Sequence, residues 1–255
     1  MNELSYLKKF VKLLADESKK VIKEYYRKEI IIETKDDLSP VTIADKKSEE
    51  IMRQLIMREF PEHGIIGEEF GNYNPDAEYK WILDPIDGTK SFICGTPLFG
   101  TLIALLKNDE PILGAINLPV LDEFLIGDNT SAELNGNKVN VRKCEDVSAA
   151  VLLITDYNNF EKYRSLTGLN NLIRRVKLFR SWGDCYGYYL VATGYADIMI
   201  DPIMSQWDLT ALIPVINGAG GTITDYYGNN PLKGNSIVAT GGTIHNEVIK
   251  ILNQN

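Results

Sequence analysis

The sequence predicts an α+β protein built in layers, and three observations carry that prediction. Apolar residues recur with helical spacing near the N-terminus, the middle of the chain is rich in β segments joined by turn signals, and from about residue 147 strands alternate with helices. Each such element has one apolar face to bury, and stacked layers are the way to bury them together.

Leu4, Leu7, Phe10, Val11 and Leu14, continued by Val21 and Ile22, predict a first helix of roughly 20 residues. Thr42-x-x-Asp45 is a capping-box-like start for a second, whose buried face carries Ile51, Leu55 and Ile56 and which Pro61 ends. Residues 81–84, 98–106, 112–118 and 123–126 read as strands, and Asn135-Gly136 before Lys138-Val139 reads as a hairpin. Further strands are expected at 150–155, 176–179, 197–200 and 236–239, with helices near 158–167, 185–194 and 208–218. No internal repeat, low-complexity tract or long linker interrupts the chain. A length of 255 residues suits one domain of two closely packed halves, about 1–146 and 147–255.

With 35 acidic against 27 basic residues the net charge is −8, which argues against a general affinity for nucleic acid or anionic membrane. No apolar run is long enough to span a bilayer, and the Lys-rich, amphipathic N-terminus does not read as a secretory signal. Cys94, Cys144 and Cys185 are few and widely spaced, as expected in a reducing cytoplasm. His63 and His245 lie in no signature and read as structural or exposed. Tyr186, Tyr188 and Tyr189 read as a partly buried helix face.

The chemistry concentrates in Trp81-Ile82-Leu83-Asp84-Pro85-Ile86-Asp87-Gly88-Thr89-Lys90-Ser91. An apolar strand runs into Pro85, which is expected to stop the ladder, and Gly88 permits a backbone conformation that side chains forbid. Asp84 and Asp87 would then converge, and paired carboxylate oxygens favour a hard divalent cation such as Mg2+. The N–H groups of Gly88 and Thr89, at the start of a following helix, would favour a phosphate. Read alone, the same residues also suit an ordinary strand-ending turn.

Other signatures accompany this one: Ser39-Pro40-Val41-Thr42-Ile43-Ala44-Asp45 and Ile65-Ile66-Gly67-Glu68-Glu69 upstream, Ser205-Gln206-Trp207-Asp208-Leu209 and Gly218-Ala219-Gly220-Gly221 downstream. In this order they resemble the inositol monophosphatase-like superfamily of Mg2+-dependent, lithium-sensitive phosphatases, from about residue 36 to the C-terminus. The resemblance implies an α/β/α/β/α sandwich of the inositol monophosphatase/fructose-1,6-bisphosphatase type. It also implies two or three Mg2+ ions per site. Glu68, Asp84 and the main-chain oxygen of Ile86 would hold one, and Asp84, bridging, would hold a second with Asp87 and Asp208. The implied nucleophile is water rather than a side chain, positioned and deprotonated by Glu68 and by Thr89, itself oriented by Asp45. Each acid also has an ordinary reading: Asp45 or Asp208 as a helix-start residue, Glu68 as a solvated loop charge.

Within the superfamily, Lys90-Ser91-Phe92, the Gly100-Thr101-Leu102-Ile103-Ala104-Leu105 strand, Gly183-Asp184-Cys185-Tyr186 and Asp208-Leu209-Thr210-Ala211-Leu212 are similar to the histidinol-phosphate phosphatase branch. The expected activity is therefore Mg2+-dependent hydrolysis of a small phosphomonoester, with L-histidinol phosphate the leading substrate and a homodimer the expected assembly. Inositol 1-phosphate, a 3′(2′),5′-bisphosphate nucleotide, and a catalytically silent metal- or phosphate-binding regulatory protein are the alternatives. Asp201 holds the place where inositol phosphatases put an acid that meets the substrate's hydroxyls, and Asp184 replaces one of their small residues. Together they would bind the ammonium of histidinol, although Asp184 also suits a helix N-cap.

Overall fold

The structure is a computed structural model that describes residues 3–34 and 40–254. Helix α1 (Glu3–Tyr25) is followed by the antiparallel pair β1 (Ile32–Thr34) and β2 (Pro40–Thr42), and Thr42 caps α2 (Ile43–Glu59). Next come β3 (Gly64–Gly67), β4 (Gly71–Tyr73), β5 (Tyr79–Asp87), the short helix α3 (Thr89–Ile93), β6 (Gly100–Lys107), β7 (Glu110–Leu118), β8 (Glu123–Gly127), β9 (Ala132–Leu134) and β10 (Asn137–Val139). β3 to β10 make one sheet in the order β10-β9-β8-β7-β6-β5-β3-β4, antiparallel except where β3 runs beside β5. The Asn135-Gly136 turn has positive φ at both residues, as a two-residue hairpin requires.

The second half contributes β11 (Val151–Ile154), α4 (Tyr157–Tyr163), α5 (Leu166–Ile173), β12 (Leu178–Arg180), α6 (Asp184–Ala192), β13 (Ile198–Asp201), α7 (Gln206–Leu209), α8 (Leu212–Gly218), β14 (Thr222–Thr224), β15 (Ile237–Thr240) and α9 (His245–Leu252). Its sheet has the order β12-β11-β13-β15-β14, with β12, β11 and β13 parallel and β15 antiparallel to both neighbours.

Strand alternation sorts the side chains into layers. Trp81 and Leu83 of β5 face α1 and α2, packing with Leu7, Val11, Leu14, Met52 and Ile56. Ile82, on the opposite face, packs with Tyr188, Val191, Leu212 and Val215 of α6 and α8, and the same core reaches Leu153 and Met199 of the second sheet. The far side of that sheet buries Leu152, Ile154, Ile198 and Ile200 against α4, α5 and α9 through Phe160, Leu169, Leu172, Val248 and Ile251. The order is helices, sheet, helices, sheet, helices, which is the sandwich the resemblance implies.

Several local expectations need correction. Leu4 is exposed, lying outside the buried stripe of α1. The expected helix at 158–167 is two, because Arg164 is extended and Ser165 accepts from the Gly168 N–H to start α5. The expected helix at 208–218 is also two: Pro214 has no N–H to continue the ladder of α7, so α8 begins afresh at Leu212. Nor does Pro85 stop its strand. β5 continues to Asp87, where Asp84 pairs with Leu102 and Asp87 with Gly100, so three steps on β5 match two on β6. This one-residue bulge absorbs the proline, which has no N–H to give. The short strands β1 to β4 and β14 and the helix α9 were not expected from the sequence. Ser39, first residue of the upstream signature, lies outside the described residues.

Candidate active site

The bulge has a direct consequence for the site. Residues three apart on a regular strand point to opposite faces, whereas the extra residue lets Asp84 and Asp87 turn to the same side. They meet Asp208 of α7, and one carboxylate oxygen from each lies within 4.8 Å of the others. The three acids line a cavity of about 410 Å3 together with Glu68, Ile86, Gly88, Thr89, Asp184 and Asp201. Strand ends supply much of it: Glu68 follows β3, Asp87 ends β5, Thr155 follows β11 and Asp201 ends β13. Crevices beyond the carboxyl ends of parallel strands are where open α/β sheets bind ligands.

Each acid of the set is held by one amide. Asp84 Oδ1 accepts from the Ile86 N–H at 3.0 Å, Asp87 from the Cys185 N–H at the start of α6, and Asp208 Oδ2 from the Ser205 N–H at 2.7 Å. Asp45 Oδ2 accepts from the Thr42 N–H at 2.8 Å, while its Oδ1 lies 3.4 Å from Thr89 Oγ1. Asp45 and Asp208 are both the third residue of a capping box, and Asp208 is also a member of the carboxylate cluster. In Asp45 one oxygen caps the helix while the other lies near Thr89, so the helix-start reading leaves that carboxylate oxygen free to reach the cavity's edge. Asp45 does not itself line the cavity and reaches it through Thr89.

Gly88 has φ of +89° and starts α3, so a short helix does follow the turn. A Cβ there would lie 2.9 Å from Asp184 Oδ2 and 3.1 Å from the Leu98 carbonyl, so glycine is needed for both conformation and space. Asp184 does not cap α6, since Gly183 holds the N-cap position. The Asp184 backbone is left-handed at φ 51°, and its carboxylate instead accepts from Ser91 Oγ at 3.4 Å.

Burial and mutual repulsion raise the acids' pKa values. Asp84 is pushed well above the carboxylate range by burial, then by Glu68, Asp87 and Asp208, and Asp87 likewise by burial, Asp184 and Asp208. Asp208 rises to about 7 through burial, with Glu68 and Asp201 adding to it. Asp184 rises to about 7 through burial and Asp201, opposed by Ser91 and Lys90, and Asp201 to about 6 through burial, opposed by Thr155 and Tyr188. A set of oxygen donors fixed in orientation and repelling one another fits a hard divalent cation, whose charge would relieve the repulsion.

The family model described as the inositol monophosphatase family matches residues 3–255. This chain belongs to the inositol monophosphatase family. A histidinol-phosphatase of Chlorobaculum parvum is 38% identical over 92% of each chain, and the bifunctional phosphatase IMPL2 of Arabidopsis thaliana is 46% identical over 89% of this chain and 67% of its own. Among solved structures, an inositol monophosphatase from Zymomonas mobilis superposes with a TM-score of 0.88 at 32% identity over all of both chains. This family member is a phosphomonoester hydrolase.

Three neighbours of the site escape sequence reasoning. Glu49, fully buried in α2, accepts from the Glu69 and Phe70 N–H groups and so grips the turn that carries Glu68. The Tyr188 hydroxyl donates to Asp201 Oδ2 at 2.9 Å, and Thr155 lies against Asp184. Only their partners, distant in sequence, distinguish them from ordinary helix and strand-end residues. The two histidines are structural: His63 stacks between Phe60 and Tyr79, and His245 sits between Thr224 and Thr240.

Proposed function

We propose that this enzyme hydrolyses L-histidinol phosphate with Mg2+, and one observation carries the reading: Asp184 and Asp201 line the same cavity as the Asp84, Asp87 and Asp208 cluster. Two acids beyond the metal-ligand set disfavour an anionic ester unless its alcohol portion brings a positive charge. The ammonium of histidinol supplies one, and charge-assisted hydrogen bonds to it are worth about 1.5–3 kcal/mol. The histidinol-phosphatases among the relatives support the same substrate.

In this reading Glu68, Asp84, the Ile86 carbonyl, Asp87 and Asp208 hold two or three Mg2+ ions. When bound, these neutralise the phosphoryl oxygens, activate water and stabilise the leaving alkoxide. The chain's own groups do the positioning. Thr89 Oγ1 lies 3.1 Å from the Ile86 carbonyl and 3.4 Å from Asp45, and its single proton can serve only one of them. Were the Ile86 oxygen a metal ligand, that proton would go to Asp45, and the Thr89 lone pairs would be left to accept from the attacking water. Glu68 would take the water's other proton, and the Gly88 and Thr89 N–H groups would donate to phosphoryl oxygens. The N-terminal half, about 1–146, carries most of the metal ligands; the C-terminal half, 147–255, carries the substrate acids and lends Asp208. The family resemblance supports a homodimer. Three free cysteines support a reducing cytoplasm.

The test is phosphate release from histidinol phosphate and inositol 1-phosphate at equal concentration, with Mg2+, with EDTA, and with Mg2+ restored. Asp184→Asn and Asp201→Asn should each raise KM for histidinol phosphate about tenfold or more while changing little for a small phosphate ester with a neutral leaving group. Equal effects on both esters refute ammonium recognition and favour a neutral polyol phosphate; full activity after exhaustive chelation refutes the metal.

A further inference from the structure

A buried hydroxyl on β6 meets the bulge in β5. The register steps from the Asp84–Leu102 pair to the Asp87–Gly100 pair, so Pro85 and Ile86 share the place opposite Thr101. Thr101 Oγ1 donates to the Pro85 carbonyl at 2.9 Å. The same oxygen lies 2.9 Å from Ser18 Oγ of α1, and Ser18 Oγ lies 2.7 Å from Ser48 Oγ of α2. All three residues are fully buried, and those that follow Thr101 on β6, Leu102 to Leu105, are buried and apolar. A polar group in such a layer is costly unless it is hydrogen-bonded, and here the three hydroxyls satisfy one another and the bulge.

Each hydroxyl has one proton, and the Pro85 carbonyl can only accept, so the Thr101 proton goes to that carbonyl. Thr101 must then accept from Ser18, and Ser18, its own proton spent, must accept from Ser48. The chain therefore runs in one direction, from α2 through α1 and β6 to the bulge, and each bond polarises the next. Two bonds pin the bulge: Asp84 Oδ1 accepts from the Ile86 N–H at 3.0 Å, and Thr101 holds the carbonyl of Pro85 between them. The extra residue they enclose is what turns Asp84 and Asp87 to one side.

We infer that Thr101 is a positioning residue for Asp84 and Asp87, its hydroxyl, oriented by Ser18 and Ser48, fixing the Pro85 carbonyl and so the bulge that aims both carboxylates at one ion. This rests on the proposed Mg2+ site. Loss of the hydroxyl leaves both acids present but less closely set, so the effect falls on Mg2+ affinity rather than on KM for the ester. Ser48 is as deeply buried, yet its loss leaves the bond between Thr101 and Pro85 intact.

The experiment compares wild type, Thr101→Val, Thr101→Ser and Ser48→Ala. It reads Mg2+ affinity from the rise in melting temperature with added Mg2+, and KM at saturating Mg2+ for whichever of histidinol phosphate and inositol 1-phosphate the wild type hydrolyses. Thr101→Val should weaken Mg2+ binding about tenfold, the low end of what the supporting partners of metal ligands contribute, while KM changes less than about twofold. Thr101→Ser, which keeps the hydroxyl, should restore the affinity. Ser48→Ala should lower the melting temperature in EDTA and leave Mg2+ affinity within about twofold of wild type. Thr101→Ala gives the same comparison if the valine protein does not fold. If wild type binds Mg2+ and the Thr101 variants bind it as tightly, or if Ser48→Ala weakens binding equally, Thr101 serves only the fold and the metal reading survives. If the wild-type melting temperature does not respond to Mg2+, the metal reading fails and this inference with it.

Discussion

Two buried acidic regions of this protein are built on opposite terms. Glu49 brings its carboxylate into the interior of α2 and finds donors there: the Glu69 N–H at 2.7 Å, the Phe70 N–H at 3.2 Å and Arg53 Nη1 at 3.1 Å. Burial raises its pKa, while those two amides and Arg53 oppose the shift. Asp84, also buried, has one amide and then Glu68, Asp87 and Asp208, all acids that push its pKa further up. A buried charge persists only if paired. Glu49 is paired from within the chain, so it serves the fold, holding the turn that presents Glu68. The Asp84 set is short of positive charge by its own construction, and that deficit is the physical signature of a cation site.

Three experiments break or sharpen this contrast. The largest effect should come from Asp84→Asn, which keeps volume and fold but removes a charge that the proposed ions share: turnover should fall at least 1,000-fold, about 4 kcal/mol of barrier. A loss within about tenfold would mean that Asp84 does not bridge. Its melting temperature should also respond less to added Mg2+ than that of wild type.

Next is Glu49→Ala, which strands the Glu69 and Phe70 amides and takes the carboxylate from Arg53, leaving its Nη1 on the Gly71 carbonyl. Unfolding in urea should show a loss of about 3 kcal/mol. Glu49→Gln, which keeps an acceptor, should cost less, and equal losses would mean that cavity formation outweighs the hydrogen bonds.

The smallest effect has the opposite sign. In EDTA, Asp208→Asn should raise the melting temperature by a few degrees, because it removes a repelled charge. The pH dependence follows from the same repulsion. Asp208 and Asp184 titrate near about 7 in the folded protein against 3.8 as unfolded carboxylates, so the folded state holds more protons. Stability from this source is present at low pH and is lost as pH rises through about 7. The chelated protein should therefore melt progressively lower between about pH 5 and pH 8, and Mg2+ should flatten that slope. A chelated protein whose melting point rises over this range would contradict the repulsion.

Much of the fold was legible from the sequence. The periodicity of α1, the capping box that starts α2, the β5–β8 strands and the Asn135-Gly136 hairpin are local patterns, and local sterics and capping chemistry decide them. The family signature lies in the chain as well, since Glu68, Asp84-to-Thr89 and Trp207-Asp208 can be read in order. Legibility failed where a local rule met a tertiary contact. Pro85 reads as a strand stop, yet pairing with β6 turns it into the bulge that brings Asp84 and Asp87 to one side. The helix-cap alternative for Asp184 also fails, since Gly183 caps and Asp184 turns toward Ser91.

Residue identity and spacing thus determined most of the longer elements, the family and the acids proposed for the site, because carboxylates, glycines and caps carry their chemistry with them. Which acids find partners was settled by the tertiary structure alone. No residue near Glu49 in the chain says that amides will meet it, whereas Asp84 stands in a motif that marks it as a candidate ligand. The amides of Glu69 and Phe70 come to one and the carboxylates of Glu68 and Asp208 to the other only when α2, β3, β5 and α7 pack, since electrostatic energy depends on distance in space and not on distance along the chain.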